Sequence, residues 1–181
     1  MEYDDNQVAK LNPAHFVGKP FGTNKLIITF FPEVMEKLLV EGKITLERKL
    51  GGENVVLVYR FVDTDVLITL GYVGCPACAG NLDLFHAMGV TKVMFCGGGG
   101  VLDKNIEVGQ ILVVDGAIRD EGFSYHYIEP SRYIYTKPEV TEKIVEMEQA
   151  GCIAVAQFRG FDYGALIYGG EDIIIRRLQS A

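Results

Sequence analysis

Apolar runs with no consistently polar face restrict the fold of this chain more than any other feature of its sequence. The segments "KLIITFF" (Lys25 to Phe31) and "KVMFCGG" (Lys92 to Gly98) are β-branched or apolar on both faces, as strands covered on each side are. Two segments with helical spacing, from Pro32 to Gly42 and from Pro76 to Met88, lie between them. We therefore predict an α/β fold in which a central mixed, largely parallel sheet is flanked by helices.

The chain is expected to fold as a single domain over residues 1–181. Its 181 residues suffice for one substantial core, whereas two domains would each lie near the lower limit of domain size. Residues 1–23 include "NPAHFVGKPFG" and show no steady period, which favours an N-terminal arm. Further strands are predicted in "NVVLVYRF", "DVLITLGY", "QILVVDGAI" and "GALIYGG", and helical spacing in "PEVTEKIVEMEQAGCIAVAQFRG".

Charge and hydropathy exclude several classes of partner. A net charge of −7 and a pI near 5.0 argue against nucleic acid, because binding a polyanion needs clustered Lys and Arg. The N-terminus "MEYDDNQVAK" is acidic where a signal peptide would be basic, and no run reaches the ~18 apolar residues of a membrane span. The four cysteines lie in apolar segments, which fits reduced thiols. We expect a cytoplasmic protein with no nucleic acid or membrane partner.

Three predicted strands end in glycine-rich stretches, "TLGYVGCP", "FCGGGG" and "IYGGED". Ligands of parallel sheets bind outside the carboxyl ends of the strands, where glycine permits positive φ and close approach of backbone N–H groups. Three such ends favour a common pocket over unrelated tight turns. Gly97, Gly98 and Gly99 are therefore predicted to form an anion-binding loop for phosphate, and Gly74 to border the pocket.

The order of several longer motifs resembles that of one enzyme family. "GAIRDEGFSYHY" (Gly116 to Tyr127), "VEMEQAGCIAVAQFRG" (Val145 to Gly160) and "LIYGGED" (Leu166 to Asp172) follow one another in the chain. Together with "IITFFPEVMEKL" and the middle section, they resemble the nucleoside phosphorylase family, which includes purine nucleoside and uridine phosphorylases. The resemblance covers most of residues 25–175 and implies cleavage of the N-glycosidic bond of a purine or pyrimidine nucleoside. It also implies no cofactor, phosphate as the co-substrate, and assembly as a homo-oligomer.

The resemblance further implies roles for individual residues. Glu148 would bind the ribose hydroxyls, because a carboxylate can accept two O–H donors, and Met147 would pack on the sugar. The acid that protonates or hydrogen-bonds the leaving base corresponds to Glu171, with Asp172 beside it. His126 lies in an aromatic loop and is interpreted first as a surface or interface histidine, while a place at the pocket of its own or a neighbouring subunit stays open.

The phosphate site implied by the resemblance departs from the family pattern. A glycine and the first arginine of the family correspond here to Phe30 and Val34, and a second arginine corresponds to Phe95. A phosphate-binding threonine or serine corresponds to Gly98. None of these residues has a side chain that donates the charge-assisted hydrogen bonds by which proteins hold oxyanions. We therefore expect little phosphate-dependent cleavage, and hydrolysis, with water in place of phosphate, stays open beside phosphorolysis.

A family segment that supplies a strand and much of the base-binding wall has no counterpart between Ile144 and Val145. Without that segment, residues from Glu139 to Phe158 are expected to form one continuous helix, because their apolar side chains recur at helical spacing. The base that the chain recognises is left open for the same reason.

Two other functions stay open on the sequence. A phosphorylase-like chain without phosphate ligands would serve as a catalytically inactive nucleoside-binding or assembly protein. The "CPAC" motif places Cys75 and Cys78 at a predicted strand-to-helix junction, and this spacing and position are typical of a thiol oxidoreductase. No metal site is predicted, because no second C-x-x-C or histidine pair completes a set of four ligands.

Overall fold

The structure is a computed structural model that describes residues 3–6, 8, 10, 12–15, 17–51, 54–101, 103, 105–136 and 148–172. At residues 170–172 it describes the path of a strand without the side chains. In chain order the elements are β1 (Lys25–Thr29), α1 (Pro32–Val40), β2 (Ile44–Leu50), β3 (Val56–Phe61), β4 (Val66–Leu70), α2 (Cys75–Ala87), β5 (Lys92–Val101), β6 (Ile111–Val113), β7 (Gly116–Ile118), β8 (Tyr133–Tyr135), α3 (Gln149–Arg159) and β9 (Asp162–Asp172).

The main sheet has seven strands in the order β2-β3-β4-β1-β5-β9-β6. Its four central strands are parallel, since β1 pairs with both β4 and β5 and β5 pairs with β9. The edge pairs β2–β3, β3–β4 and β6–β9 are antiparallel, and β7 and β8 form a separate two-stranded sheet. The predicted α/β architecture with a mixed, centrally parallel sheet is confirmed. Its four parallel strands end at one common edge, which we call the carboxyl edge.

Helices α2 and α3 cover one face of this sheet. Their buried side chains form the main core with residues of the central strands, among them Leu82 of α2, Val155 of α3 and Phe95 of β5. Helix α1 covers part of the opposite face, where Met35 packs with Ile68. Burial of these apolar side chains supplies the main driving force for folding.

The opposite face is more exposed near β9 than the sequence suggested. Met94, Leu166 and Tyr168 are 41, 37 and 42% exposed, respectively. The apolar run of β5 is therefore covered on one side only in the described part of the chain. Among the residues that the structure describes, no helix combines the length and the apolar character that crossing a membrane requires.

Several element predictions are corrected by the structure. Strand β2 was not predicted, because its alternating charged residues mask an edge strand; Glu47 there accepts a hydrogen bond from Arg60 of β3 at 2.8 Å. "QILVVDGAI" forms two strands in two different sheets rather than one strand. The prediction of one continuous helix from Glu139 to Phe158 is also wrong. Helix α3 begins at Gln149, and Glu148 before it is the N-cap residue. Residues 137–147, including the junction of Ile144 with Val145, lie outside the described residues.

The end of the predicted N-terminal arm is packed against the domain. Phe21 is 4% exposed, and its N–H donates to the carbonyl of Met88 after α2. Arg60 donates to the Phe21 carbonyl at 2.8 Å, and the Arg48 guanidinium lies 4.7 Å from the centre of the Phe21 ring. These two arginines therefore anchor the arm.

Candidate functional site

The candidate site lies at the carboxyl edge, where ligands of open parallel sheets bind. The chain leaves β4 at Leu70 and enters α2 at Cys75 after four residues. The N-terminus of α2 therefore lies close to the carboxyl edge. Helix α3 packs alongside α2 in the main core. The two helix N-termini meet at Gly74 and Glu148, which hydrogen-bond to each other.

Glu148 is the central side chain of this arrangement. It is 6% exposed, and its Oε1 accepts a hydrogen bond of 2.7 Å from the N–H of Gly74, the N-cap residue of α2. Although Glu148 is the N-cap residue of α3, its side chain does not cap that helix. The carboxylate instead joins the two helices, whose N-termini both favour a negative charge. The structure thus brings together two of the predicted site residues, Glu148 and Gly74.

Gly74 adopts a backbone conformation that only glycine takes without strain. Its φ is 99° and its ψ is 137°, a region that a Cβ atom disfavours strongly. No heavy atom lies within 4 Å of the position that a Cβ would occupy. A substitution at Gly74 therefore affects the backbone rather than the packing.

We predict that Gly74→Ala destabilises the protein by about 2 kcal/mol, because the strained φ must either be kept or relax and move the N–H away from Glu148. Gly80→Ala is the matched control: Gly80 lies inside α2, its Cβ would also meet open space, and its φ is not positive. That control is expected to stabilise by about 0.5–1 kcal/mol. Urea unfolding measures both values, and equal shifts in the two variants would contradict the role given to the Gly74 backbone.

Gly151 permits the close approach of α3 to α2. Its N–H donates to the Cys75 sulfur at 3.0 Å, and a Cβ at this position would lie 2.3 Å from that sulfur and 3.1 Å from Phe123 Cδ1. The Cys75 thiol also donates to the Glu148 carbonyl at 3.5 Å. The residues around Glu148 are thus fixed by direct contacts between the first turns of both helices.

The structure places Gly97, Gly98 and Gly99 in strand β5 rather than in the predicted loop, and their role in anion binding stays a prediction. They pair in register with Ile167, Tyr168 and Gly169 of β9. None of them has a positive φ, so they do not form the alternating turn whose N–H groups cradle an anion.

Aromatic rings explain why the strand carries glycine here. A Cβ on Gly97 would lie 2.8 Å from Cε1 of Phe95, and a Cβ on Gly98 would lie 2.8 Å from Cε1 of Tyr168. Both distances are too short for a real contact, so the rings occupy the space that side chains would take. The glycines therefore serve close packing within the strand.

Two aromatic pairs lie near the carboxyl end of β1, Phe30 with Phe95 on the helix-covered face and Phe31 with Tyr168 on the opposite face, and we call the first pair the aromatic cluster. The ring centres of Phe30 and Phe95 are 4.7 Å apart, and those of Phe31 and Tyr168 are 5.7 Å apart. Such distances are typical of favourable aromatic pairs. The sequence had identified Phe30 and Phe95 as replacements of phosphate-site residues, and they contact each other directly. Phe31 and Tyr168 were missed because tertiary pairing, which no local pattern reveals, brings them together.

The aromatic loop between β7 and β8 is held by Arg119 and Glu121. Glu121 accepts hydrogen bonds from the N–H groups of Phe123 and Ser124, at 2.7 and 2.9 Å, and from the Ser124 hydroxyl. Arg119 is 3% exposed and donates to the same hydroxyl at 2.9 Å. The Glu121 carboxylate is therefore engaged inside the loop.

This loop places His126 at the surface. His126 ends the short 3-10 helix Ser124–His126, and its side chain is exposed. The neighbouring Tyr127 packs edge-on against Phe158 of α3 with ring centres 5.6 Å apart. Burial, and secondarily the charge of Asp83, raises the pKa of Tyr127, so its phenol stays protonated near neutral pH. A pocket role for His126 remains a prediction.

Three predicted site residues fall wholly or partly outside the described structure. Met147 lies among residues 137–147, outside the described part. Glu171 and Asp172 form the end of β9, with Asp172 paired to Val101, and their side chains are not described. They therefore end a strand at the carboxyl edge rather than follow it. In the described portion, no three histidine, cysteine or acidic residues gather as a metal site would require.

The segments that form α2 and α3 share a feature that favours close packing of helices. Both "CPACAG" and "QAGCIAVA" are rich in small residues, and small residues allow helices to approach closely. This pattern predicts that each helix packs closely against a neighbour, and the structure shows that the neighbours are α2 and α3.

Comparisons with known proteins agree with this geometry. Residues 25–160 match the sequence model of the Phosphorylase superfamily. A guanosine phosphorylase from Halorubrum lacusprofundi is 36% identical over 64 residues, which are 35% of this chain and span 27% of that protein.

Solved structures share the fold. Uridine phosphorylase from Vibrio fischeri has a TM-score of 0.69 at 18% identity, covering 98% of this chain and 86% of that chain. A mutant of futalosine hydrolase from Helicobacter pylori has a TM-score of 0.63 at 18% identity, covering 83% and 88%. At such low identity these structures show the fold alone, whereas the family match spans most of the chain. The chain belongs to the phosphorylase superfamily.

Proposed function

We propose that this protein cleaves the N-glycosidic bond of a purine or pyrimidine nucleoside, with water rather than phosphate as the nucleophile. The observation that carries the proposal is the Glu148 carboxylate, held by the Gly74 N–H at 2.7 Å at the carboxyl edge of a phosphorylase-superfamily fold. The names of two relatives support the range of chemistry: one is a guanosine phosphorylase and another a futalosine hydrolase.

Glu148 is proposed to bind the ribose. A carboxylate has about four lone-pair directions, so the hydrogen bond from Gly74 is compatible with acceptance from sugar hydroxyls. Cleavage of a nucleoside develops positive charge on the sugar, and a fixed carboxylate beside the sugar stabilises that charge. Met147 is proposed to pack on the same sugar, and Glu171 or Asp172 to act as the acid for the leaving base.

The aromatic cluster favours water over phosphate. A phosphate dianion needs charged or hydroxyl donors, and the cluster instead presents Phe30 and Phe95 in contact with each other at 4.7 Å. The backbone of β5 offers no compensating turn, since Gly97 to Gly99 are paired with β9. Apolar side chains at these positions lower the affinity for phosphate without blocking access of water to a sugar at Glu148.

The test is incubation of the purified protein with inosine, adenosine or uridine, with and without phosphate, followed by chromatography of the released base and sugar. We expect release of free ribose at a rate that phosphate changes less than twofold. Phosphate-dependent release with ribose 1-phosphate as the product would overturn the hydrolytic proposal while retaining the family chemistry.

A catalytically inactive nucleoside-binding protein is the second candidate, favoured by the same loss of phosphate-binding side chains. In the same experiment it predicts no release of base, together with nucleoside binding that calorimetry detects. A thiol oxidoreductase is less consistent with the structure, because Cys75 and Cys78 are both 2% exposed and dithiol catalysis on protein substrates needs an accessible sulfur.

Assembly and location remain predictions. The separate β7–β8 sheet presents Ile118, Tyr133 and Tyr135, which are 57, 49 and 60% exposed. Exposed aromatic residues of this kind are enriched at protein interfaces, which supports the proposed homo-oligomer. The cytoplasmic location and the absence of a cofactor rest on the sequence interpretation alone.

A further inference from the structure

Two cysteines from different helices place their sulfur atoms in contact beneath the candidate site. The Sγ atoms of Cys78 in α2 and Cys152 in α3 are 3.6 Å apart, although the residues are 74 positions apart in the chain. Both side chains are buried, at 2 and 0% exposure. The C-x-x-C spacing had pointed to Cys75 as the partner of Cys78, whereas the structure brings Cys152 to it.

Cys75 has different contacts. Its sulfur accepts the N–H of Gly151 at 3.0 Å, and its thiol donates to the Glu148 carbonyl at 3.5 Å. These two bonds hold its side chain at the start of α3. The two cysteines of the C-x-x-C motif therefore lie in two separate environments.

A small cavity gives access to Cys78. Its volume is about 10 Å³, and its lining includes Cys78, Gly71, Tyr72 and Asn81. Leu70, which also lines it, is 41% exposed, and Gly71, Tyr72 and Asn81 are half-buried, so the cavity borders the protein surface. A space of this size is about that of one water-sized probe. Hydrogen peroxide has two oxygen atoms and is larger than this space, so it reaches Cys78 only when lining side chains such as Tyr72 move.

We propose that Cys78 and Cys152 form an oxidation site, at which a small peroxide converts the two thiols into a disulfide that links α2 to α3. The Cys78 thiolate attacks one peroxide oxygen, the O–O bond breaks, and the released hydroxide takes the thiol proton to become water. The sulfur of Cys152 then attacks the Cys78 sulfenic acid, and the hydroxyl group leaves with the second thiol proton as water. Two thiols and one hydrogen peroxide thus give one disulfide and two waters.

The required movement is small. A disulfide bond is about 2.05 Å long, so the sulfur atoms must approach by about 1.5 Å from their separation of 3.6 Å.

The disulfide restrains the two helices whose N-termini carry Gly74 and Glu148. It closes a chain segment of 74 residues, and a cross-link of that length is expected to raise Tm by about 5–10 °C. Oxidation thereby fixes the position of the carboxylate relative to α2.

The experiment treats the reduced, folded chain with hydrogen peroxide at pH 8.5, blocks remaining thiols, and digests with trypsin without reductant. Residues 61–92 contain Cys75 and Cys78, and residues 144–159 contain Cys152. We expect these two peptides joined with a loss of 2 hydrogen atoms, and fragmentation that places the link on Cys78. The protein should melt higher than its reduced form, and dithiothreitol should reverse both effects.

Cys75→Ala is the matched variant, and it is expected to keep the cross-link, whereas Cys152→Ala is expected to lose it. Peptide mapping of the unaltered chain decides the assignment if a variant fails to fold. A Cys75–Cys78 disulfide within residues 61–92, or peroxide treatment that leaves Cys152 in the thiol form, would overturn the proposal. None of these readouts depends on cleavage of a nucleoside.

Discussion

Replacing Glu148 by glutamine is expected to lower kcat/KM for nucleoside cleavage by about 10²–10⁴-fold. The variant keeps the size of the side chain and an oxygen that can accept the Gly74 N–H, which now donates to Oε1 at 2.7 Å. It removes the negative charge and so weakens the two charge-assisted hydrogen bonds to the ribose that we propose, which would contribute about 1.5–3 kcal/mol each. Each 1.36 kcal/mol corresponds to about tenfold in rate.

The measurement is kcat/KM with the nucleoside that the wild-type protein cleaves fastest, together with Tm as a check of folding. Glu129→Gln is the matched control, because the Glu129 side chain is exposed and only its carbonyl is used, as an acceptor from Arg119. If Glu148→Gln retains wild-type kcat/KM, the carboxylate does not bind the sugar. If the wild-type protein binds nucleosides without cleaving them, the same loss is expected in the binding constant.

The central part of the fold could be predicted because its signal is local. The apolar run "KLIITFF" and the helix from Pro32 each carry their own pattern, and the structure has β1 at Lys25–Thr29 and α1 at Pro32–Val40. Where polar residues interrupt a strand, local patterns fail. Strand β2 contains Glu47 and Arg48, and only its pairing with β3 shows that it belongs to the sheet.

The candidate site could be predicted only where one residue carries the signal. Glu148 and Gly74 were identified separately, and the hydrogen bond between them depends on the packing of α3 against α2. The glycine run from Gly97 to Gly99 shows the opposite case. Glycine permits both a turn and close packing under a ring, and the choice between them depends on Phe95 and on Tyr168, a residue of another strand.

The same lesson applies to the cysteines. The spacing of Cys75 and Cys78 in the chain suggested one dithiol, while the contact at 3.6 Å joins Cys78 to Cys152. A spacing of three residues in a helix places two side chains on one face, but it says nothing of a third residue from another helix. Pairs formed by tertiary packing need the arrangement of the helices, which a single sequence does not provide.

Replacing Phe95 by alanine is expected to destabilise the protein by about 3–5 kcal/mol and to lower Tm by about 10 °C. Phe95 is 2% exposed, its ring centre lies 4.7 Å from that of Phe30, and the ring covers Gly97. Removing it leaves a cavity beside a glycine that has no side chain to fill the space, so the surroundings cannot collapse into it. Thermal and urea unfolding measure the loss.

Met94→Ala is the control for this prediction, because Met94 is the preceding residue of the same strand and is 41% exposed on the opposite face. It is expected to cost less than about 1 kcal/mol. A loss for Phe95→Ala no larger than that of the control would mean that the ring does not cover the glycine strand. The glycines from Gly97 to Gly99 would then again be available to bind an anion, and the case for water as the nucleophile would lose its structural basis. A loss of stability of the expected size would show that the Phe95 ring packs over the glycines of β5. If phosphate also fails to accelerate cleavage, both results agree with a strand that packs against aromatic rings and binds no phosphate.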